Sequence, residues 1–171
     1  LWKKQVNTVS FPQASTVHFE FPAREGRPPV SVHWYDGGMR PPKPAELQEN
    51  GLDMPEEGML FVGDKGKLLG DFMGGNPRLI LQKKMAAFTK PPQTLPRPIG
   101  ELDQWIRACR GVQPSDASFE SVYPFAETIA LGNVALRVGQ KLTWDAANLK
   151  AVGCPEADAF LRREYRKGWT L

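Results

Sequence analysis

Residues 15–36, STVHFEFPAREGRPPVSVHWYD, carry the clearest structural pattern in this chain. Two segments within this stretch alternate apolar and polar residues, a period of two that is typical of strands with one buried face. The connection between them, PAREGRPP, carries proline and glycine and is suited to a hairpin, so we expect an antiparallel pair. The apolar residues that share one face are Val17, Phe19, Phe21, Val30, Val32 and Trp34.

The second strand ends in Tyr35-Asp36-Gly37-Gly38, so that two glycines follow it at once. Glycine lets the backbone turn sharply and lets another group approach closely. The carboxylate of Asp36, the phenol of Tyr35 and the guanidinium of Arg40 on one loop are groups that bind sugar hydroxyls. The alternative is an aspartate that forms a turn by accepting from backbone N–H groups, and composition alone favours that alternative.

The two histidines, His18 and His33, lie on the polar side of the predicted hairpin. Residues opposite each other on paired strands approach closely, so these two side chains can form a cross-strand pair. A metal site would need further ligands, with Glu20 as the nearest candidate, and we expect surface histidines and no metal. A hydrolase built on His33 and Asp36 would need a nucleophile elbow G-x-S-x-G, which the sequence lacks. This absence argues against a Ser-His-Asp hydrolase.

The segment Gly63-Asp64-Lys65-Gly66-Lys67 has a superficial likeness to a phosphate-binding loop. Its spacing differs from G-x-x-x-x-G-K-[ST], Leu68 stands where Ser or Thr is needed, and strand-like segments flank it. We expect a hairpin turn there. The fingerprint G-x-G-x-x-G is also missing, so no cofactor-binding residue is expected in this chain.

The first half of the chain reads mainly as strands and loops. Met59–Val62 is apolar on both faces, which predicts a central strand. Proline-rich residues 37–58 predict a loop with a helical turn at Ala45–Glu49, and residues 88–98 predict an extended connector. Further strands are expected at Lys67–Phe72 and Arg78–Leu81.

The second half reads mainly as helices, expected at Pro98–Arg110, Phe119–Val138 and Pro155–Arg163, with a short strand at Leu142–Asp145. Gly139 is the expected C-cap of the long helix. An apolar stripe at helical spacing is expected to form the buried face of that helix. Its members are Val122, Phe125, Ala126, Ile129, Asn133 and Leu136.

Strands followed by helices predict an α+β fold with an open, twisted, mainly antiparallel sheet and helices packed on one face. A chain of 171 residues predicts a single domain spanning residues 1–171. An open apolar sheet face commonly becomes a subunit interface, so we expect a homo-oligomer formed through that face.

Composition excludes several classes of protein. The net charge of +3 is spread evenly along the chain, which argues against a nucleic-acid partner. No run is long and apolar enough to predict a membrane span. Cys109 and Cys154 are too few and too far apart for a disulfide framework or a zinc site, and we expect free thiols with one in the core.

Several segments, taken in order, resemble the C-terminal domain of bacterial Gfo/Idh/MocA-type oxidoreductases, from about residue 12 to the end. Each motif is modest alone, but their order and spacing are specific. The segments are FPAR (21–24), VHWYDGGMRPPKP (32–44), GMLFVGDKGKLL (58–69), QWIRACRG (104–111), AETIALGNVALRVGQKLTWD (126–145) and EYRKGW (164–169).

The resemblance implies a two-domain parent enzyme in which a Rossmann domain of the same polypeptide binds NAD or NADP. The catalytic lysine and histidine motifs of the family would lie outside this chain. This chain would supply a substrate and oligomerisation domain, with no cofactor of its own, for sugars, polyols or glycosides. The loop that the resemblance implies near the pocket mouth contributes the candidate substrate-binding residues Trp34, Tyr35, Asp36, Gly37, Gly38 and Arg40.

Two other hypotheses remain open. The chain could be a stand-alone, non-catalytic binding or assembly module, or it could be a complete glycoside-acting enzyme. The sequence opens Leu1-Trp2-Lys3-Lys4 without an initiator methionine, which favours a piece of a longer polypeptide. Many relatives of this bacterial type look exported, which favours the periplasm over the cytoplasm.

Overall fold

The computed structural model describes residues 2–3, 9–162 and 164–169, and these residues form an α+β fold, as expected. The strands are β1 (Trp2–Lys3), β2 (Ser15–Phe21), β3 (Val30–Tyr35), β4 (Met59–Gly63), β5 (Gly66–Gly70), β6 (Arg78–Leu79), β7 (Thr143–Asp145) and β8 (Lys150–Val152). The helices are α1 (Ala45–Glu49), α2 (Gln82–Ala87), α3 (Glu101–Cys109), α4 (Phe119–Val138) and α5 (Asp158–Leu161), with a 3₁₀ turn at Pro155–Ala157.

Contacts divide the chain into two compact units. The first unit combines Leu1–Met39 with Pro98–Leu171, and the second is Arg40–Arg97. Within the described residues the strands form three antiparallel sheets, β1-β2-β3 and β7-β8 in the first unit and β4-β5-β6 in the second. The antiparallel pairing agrees with the prediction, although the strands are divided among small sheets and do not form one.

The hairpin of β2 and β3 forms as the alternation predicts. Its register pairs Val17 with Trp34 and Phe19 with Val32, so the apolar residues share one face. Helix α4 covers this face at Gly132, where an added Cβ would lie 2.9 Å from Cζ of Phe19. Glycine is therefore what lets α4 approach β2.

Helix α4 has the predicted bounds because both of its ends are capped. The hydroxyl of Ser118 accepts from the N–H of Ser121 at 3.4 Å, and Gly139 adopts φ +77° at the C-cap. The predicted buried stripe is wrong for most of its members, because only Leu136 of that set is buried. Gly132 and Leu136 are buried on one side of the helix and Val134 on another, so the C-terminal half is covered on two sides.

Each unit has its own small core. In the first unit Val134 packs with Ala151, Cys154 and Ala157, and Cys154 is the buried thiol that was expected. Cys109 is an exposed free thiol. In the second unit the buried side chains are Leu47, Leu69 and Ile80.

The prediction that Met59–Val62 is a central strand is wrong. β4 lies at the edge of its sheet and β5 lies between β4 and β6. Phe61 and Val62 are exposed, so apolar residues on both faces of β4 do not indicate burial on both faces. The return strand forms at Gly66–Gly70, where Lys67–Phe72 was predicted, and the helical turn Ala45–Glu49 forms with the predicted bounds.

Candidate functional site

The carboxylate of Asp36 joins the end of β3 to the start of β2. It accepts hydrogen bonds from the Ser15 backbone N–H at 2.6 Å, from the Ser15 hydroxyl at 2.9 Å and from Nε1 of Trp34 at 3.2 Å. Ser15 is only 2% exposed, so its donors depend on this carboxylate for partners. Asp36 thus acts as an anchor that closes this end of the hairpin.

Asp36 has a structural role, as in the alternative that composition favoured, but its carboxylate does not cap the turn. It reaches across to Ser15 on the neighbouring strand and to Trp34, while the turn uses the Asp36 backbone carbonyl. Sequence reasoning missed Ser15 as its partner. The strand register points to this partner. Thr16 pairs with Tyr35, so extending the antiparallel pairing by one residue places Ser15 opposite Asp36. A direct contact of Asp36 with substrate stays a prediction.

The two glycines after Asp36 form a tight turn. The Met39 N–H donates to the Asp36 carbonyl at 3.0 Å, and Gly37 and Gly38 have φ of +59° and +84°. Positive φ at both central residues is the signature of a type I′ turn, which favours glycine. Gly37 is also held close to the backbone, since a Cβ there would overlap the carbonyl of Gln13. Gly38 faces open space.

The structure brings five of the six candidate residues together. Trp34, Tyr35, Asp36, Gly37 and Gly38 all lie at the end of β3 in the first unit. Tyr35 is partly buried, whereas Trp34 is 46% exposed. Arg40 belongs to the second unit, where its guanidinium donates to the carbonyl of Met54 at 3.3 Å.

The predicted cross-strand pair of histidines is confirmed. His18 and His33 are register partners, and their ring centroids lie 4.3 Å apart with an interplanar angle of 62°. Desolvation, followed by the charge of His33, holds the pKa of His18 below its usual value. Glu20, two residues along the same face, accepts from the Ser31 hydroxyl at 3.0 Å. Within residues 2–3, 9–162 and 164–169, no three or more His, Cys, Asp or Glu residues form a group that could hold a metal ion.

A cavity of about 560 Å³ lies in the first unit, lined by α4, by Trp144 of β7 and by Phe160 of α5. The Arg137 guanidinium borders it, lies 4.4 Å from the ring centroid of Phe11 and donates to the carbonyl of Val9. Nε1 of Trp144 is buried and has no acceptor among the described residues. Sequence reasoning missed this cavity, because its lining comes from segments far apart in the chain.

In the second unit the segment Gly63–Lys67 forms the predicted hairpin turn, with Gly63 paired to Gly66. Nζ of Lys67 lies 2.7 Å from the carboxylate of Glu46. The hydrogen bond from Lys67 is the main reason why the pKa of Glu46 is lowered. The basic side chain that follows the turn is therefore paired with a carboxylate of α1.

Comparisons with known proteins identify no relative of this chain: no family model matches it, and neither a curated protein nor a solved structure does so. No helix in the described part of the chain combines the length and apolar character that crossing a membrane requires.

Proposed function

We propose that this chain is the substrate-binding and assembly domain of an NAD(P)-dependent oxidoreductase of the Gfo/Idh/MocA type, acting on sugars, polyols or glycosides. A Rossmann domain of the same polypeptide binds the nicotinamide cofactor. This chain contributes one wall of the substrate pocket and the oligomer interface. The order and spacing of the motifs in residues 21–169 support this proposal, and the α+β fold with antiparallel hairpins is compatible with it.

The observation that carries the proposal is the anchored end of β3. Asp36 holds the indole of Trp34 through Nε1 while 46% of that residue remains exposed. An aromatic ring fixed before binding offers an apolar surface to the C–H face of a sugar at little cost in side-chain entropy. The turn that follows this strand is also open at Gly38, which has no atom within 4 Å of an added Cβ.

The assembly role is supported by a row of apolar side chains on β3. Val30 and Val32 are 52% and 43% exposed, and alternate residues of a strand project on the same face. A row of exposed apolar side chains on a sheet is the type of surface that self-associating proteins bury between two copies.

The assembly role is tested by light scattering on the purified chain, with a calorimetric titration of NAD(H) alongside. We expect a dimer or larger assembly and no binding of NAD(H). Val32→Asp should shift the mass toward the monomer, whereas Val152→Asp, at a valine of β8 that is 54% exposed, should leave it unchanged. A monomeric wild-type chain would refute the assembly role, and saturable NAD(H) binding would refute the division of labour between the two domains.

The oxidoreductase assignment is tested by determining the coding sequence that precedes Leu1. The proposal expects a glycine-rich dinucleotide fingerprint and a Glu-Lys-Pro segment there. In the protein that contains both parts, Trp34→Ala should raise KM for the sugar substrate more than it lowers kcat, because it removes a binding surface and no reacting group. An unrelated upstream sequence would refute the assignment.

A stand-alone binding module is the second candidate, and the cavity next to Trp144 favours it. Its volume of about 560 Å³ lies in the range of small-molecule sites, and a buried indole N–H without an acceptor can donate to a ligand. Screening the chain against apolar compounds that carry a carbonyl or carboxylate, by ligand-detected NMR, tests this role. Hits that persist in Trp144→Phe and in a cavity-filling Ala130→Leu variant would show that binding occurs elsewhere.

A further inference from the structure

We infer that His18 and His33 form a two-imidazole chelate for a transition-metal ion that favours square-planar coordination, Cu(II) or Ni(II). The site lies on the polar face of the β2–β3 hairpin. It goes beyond the proposed function, which assigns no metal to this chain.

The hairpin fixes the two rings relative to each other. His18 and His33 are direct partners in the register, so both side chains leave the same face of neighbouring strands. Direct partners on antiparallel strands have Cβ atoms about 4.5–5.5 Å apart, which lets two imidazoles reach one ion between them. Their backbone positions are held by the ladder and by the Asp36 anchor at the end of the same hairpin. The backbone thus holds the two histidines side by side on one face of the hairpin.

The distance between the rings is compatible with both rings binding one ion, and it is closer to one coordination angle than to the other. With a metal–nitrogen bond of about 2.0 Å, each ring centroid lies about 3.2 Å from the ion. Two ligands at a right angle then have centroids about 4.5 Å apart, and two ligands at a tetrahedral angle have them about 5.2 Å apart. The observed separation of 4.3 Å is close to the right-angle value. Right-angled nitrogen ligands are typical of tetragonal Cu(II) and Ni(II) sites and untypical of structural zinc sites.

The surroundings leave the other coordination positions of an ion open. Both histidines are exposed, so water can complete the coordination. Glu20 lies on the same face, where its carboxylate accepts from the Ser31 hydroxyl. Among the described residues no group of three or more His, Cys, Asp or Glu could hold a metal ion, so two imidazoles and water are the expected donor set.

The chain offers a clean background for the test, because His18 and His33 are its only two histidines. The protein should be prepared without a histidine tag and with Cys109→Ser, since an exposed thiol binds both metals and reduces Cu(II). Ni(II) is titrated by calorimetry in a buffer that does not coordinate it. Cu(II) is added for electron paramagnetic resonance, which counts the bound nitrogens.

The expected result is one ion per chain, two equivalent nitrogens on Cu(II), and loss of binding on acidification, because a protonated imidazole cannot bind a metal. His18→Asn and His33→Asn should each weaken Ni(II) binding by about tenfold or more. Glu20→Gln, a matched change on the same face, should retain the two nitrogens. Circular dichroism checks that the variants are folded, as expected for exposed positions.

Three outcomes would overturn the inference. Unsaturable binding by the chain in the Cys109→Ser background would show that no chelate exists. If His18→Asn and His33→Asn bind Ni(II) as tightly as the parent protein does, the ion binds elsewhere. Fewer than two nitrogens on Cu(II) would show that the rings do not bind one ion together, and the 4.3 Å contact would then be a ring–ring contact alone.

Discussion

Replacing Asp36 with alanine should destabilise the hairpin of the first unit. The change removes an acceptor of three hydrogen bonds and leaves the N–H and hydroxyl of buried Ser15 without their partner. A hydrogen bond to a charged group is worth about 1.5–3 kcal/mol, and a buried donor left unpaired costs about 1–3 kcal/mol. The three bonds share one carboxylate and are not additive, so we expect a loss of about 3–4 kcal/mol in the free energy of unfolding. That is a large part of the 5–15 kcal/mol typical of a domain, by order of magnitude.

Two measurements test this reasoning. Urea denaturation gives the change in the free energy of unfolding, and amide hydrogen exchange at Ser15 reports directly on the N–H that Asp36 accepts from. Asp36→Asn retains one acceptor oxygen but loses the charge, so it should cost about half as much as Asp36→Ala. Glu25→Ala, an exposed carboxylate in the connection of the same hairpin, is the control and should change stability by less than about 0.5 kcal/mol.

An Asp36→Ala protein with the stability of the Glu25→Ala control and with unchanged exchange at Ser15 would refute the anchor. Loss of sugar binding without loss of stability would instead support the substrate-contact hypothesis for Asp36.

Three further predictions follow from the first unit. Gly37→Ala should lower the midpoint of thermal unfolding far more than Gly38→Ala does. Both glycines have positive φ, which costs alanine about 1–2 kcal/mol. Only a Cβ at Gly37 would also clash with the backbone. Gly132→Ala should destabilise by about 1–2 kcal/mol in urea, because overpacking against Phe19 outweighs the gain in helix propensity, and a more stable variant would contradict that packing. The pKa of His18 is lower in the folded chain than in the unfolded one, so the unfolded chain binds more protons below about pH 6.5. Stability should therefore fall as the pH drops below that value, and His18→Asn should flatten a plot of unfolding midpoint against pH.

Local patterns predicted the elements whose cause is local. The alternation in residues 15–35 led to the correct strands and to the approach of His18 and His33. The bounds of α4 were correct because both signals are local. Ser118 caps the first turn of the helix, and Gly139 ends the helix in a left-handed conformation. By contrast, α2 and β8 were missed, since each segment is too short to show a recognisable apolar periodicity.

The errors concern burial. The edge position of β4 depends on which strands add to β5, and the partial exposure of the α4 stripe depends on what packs beside each half of the helix. An apolar pattern states which side chains can be buried, but it does not state which surface will be available to bury them.

The α+β class, the hairpin with its polar and apolar faces, and the need for glycine after Asp36 could be read from local patterns, because each follows from the conformational preferences of neighbouring residues. The use of the Asp36 carboxylate by Ser15, 21 residues earlier in the chain, became visible only in the folded chain. The tertiary structure also decided that a cavity forms beside Trp144 and that Arg40 belongs to the second unit. These features depend on the register of paired strands and on the packing of distant segments. Such long-range contacts depend on the free energy of the whole folded chain, and a local sequence pattern does not report that free energy.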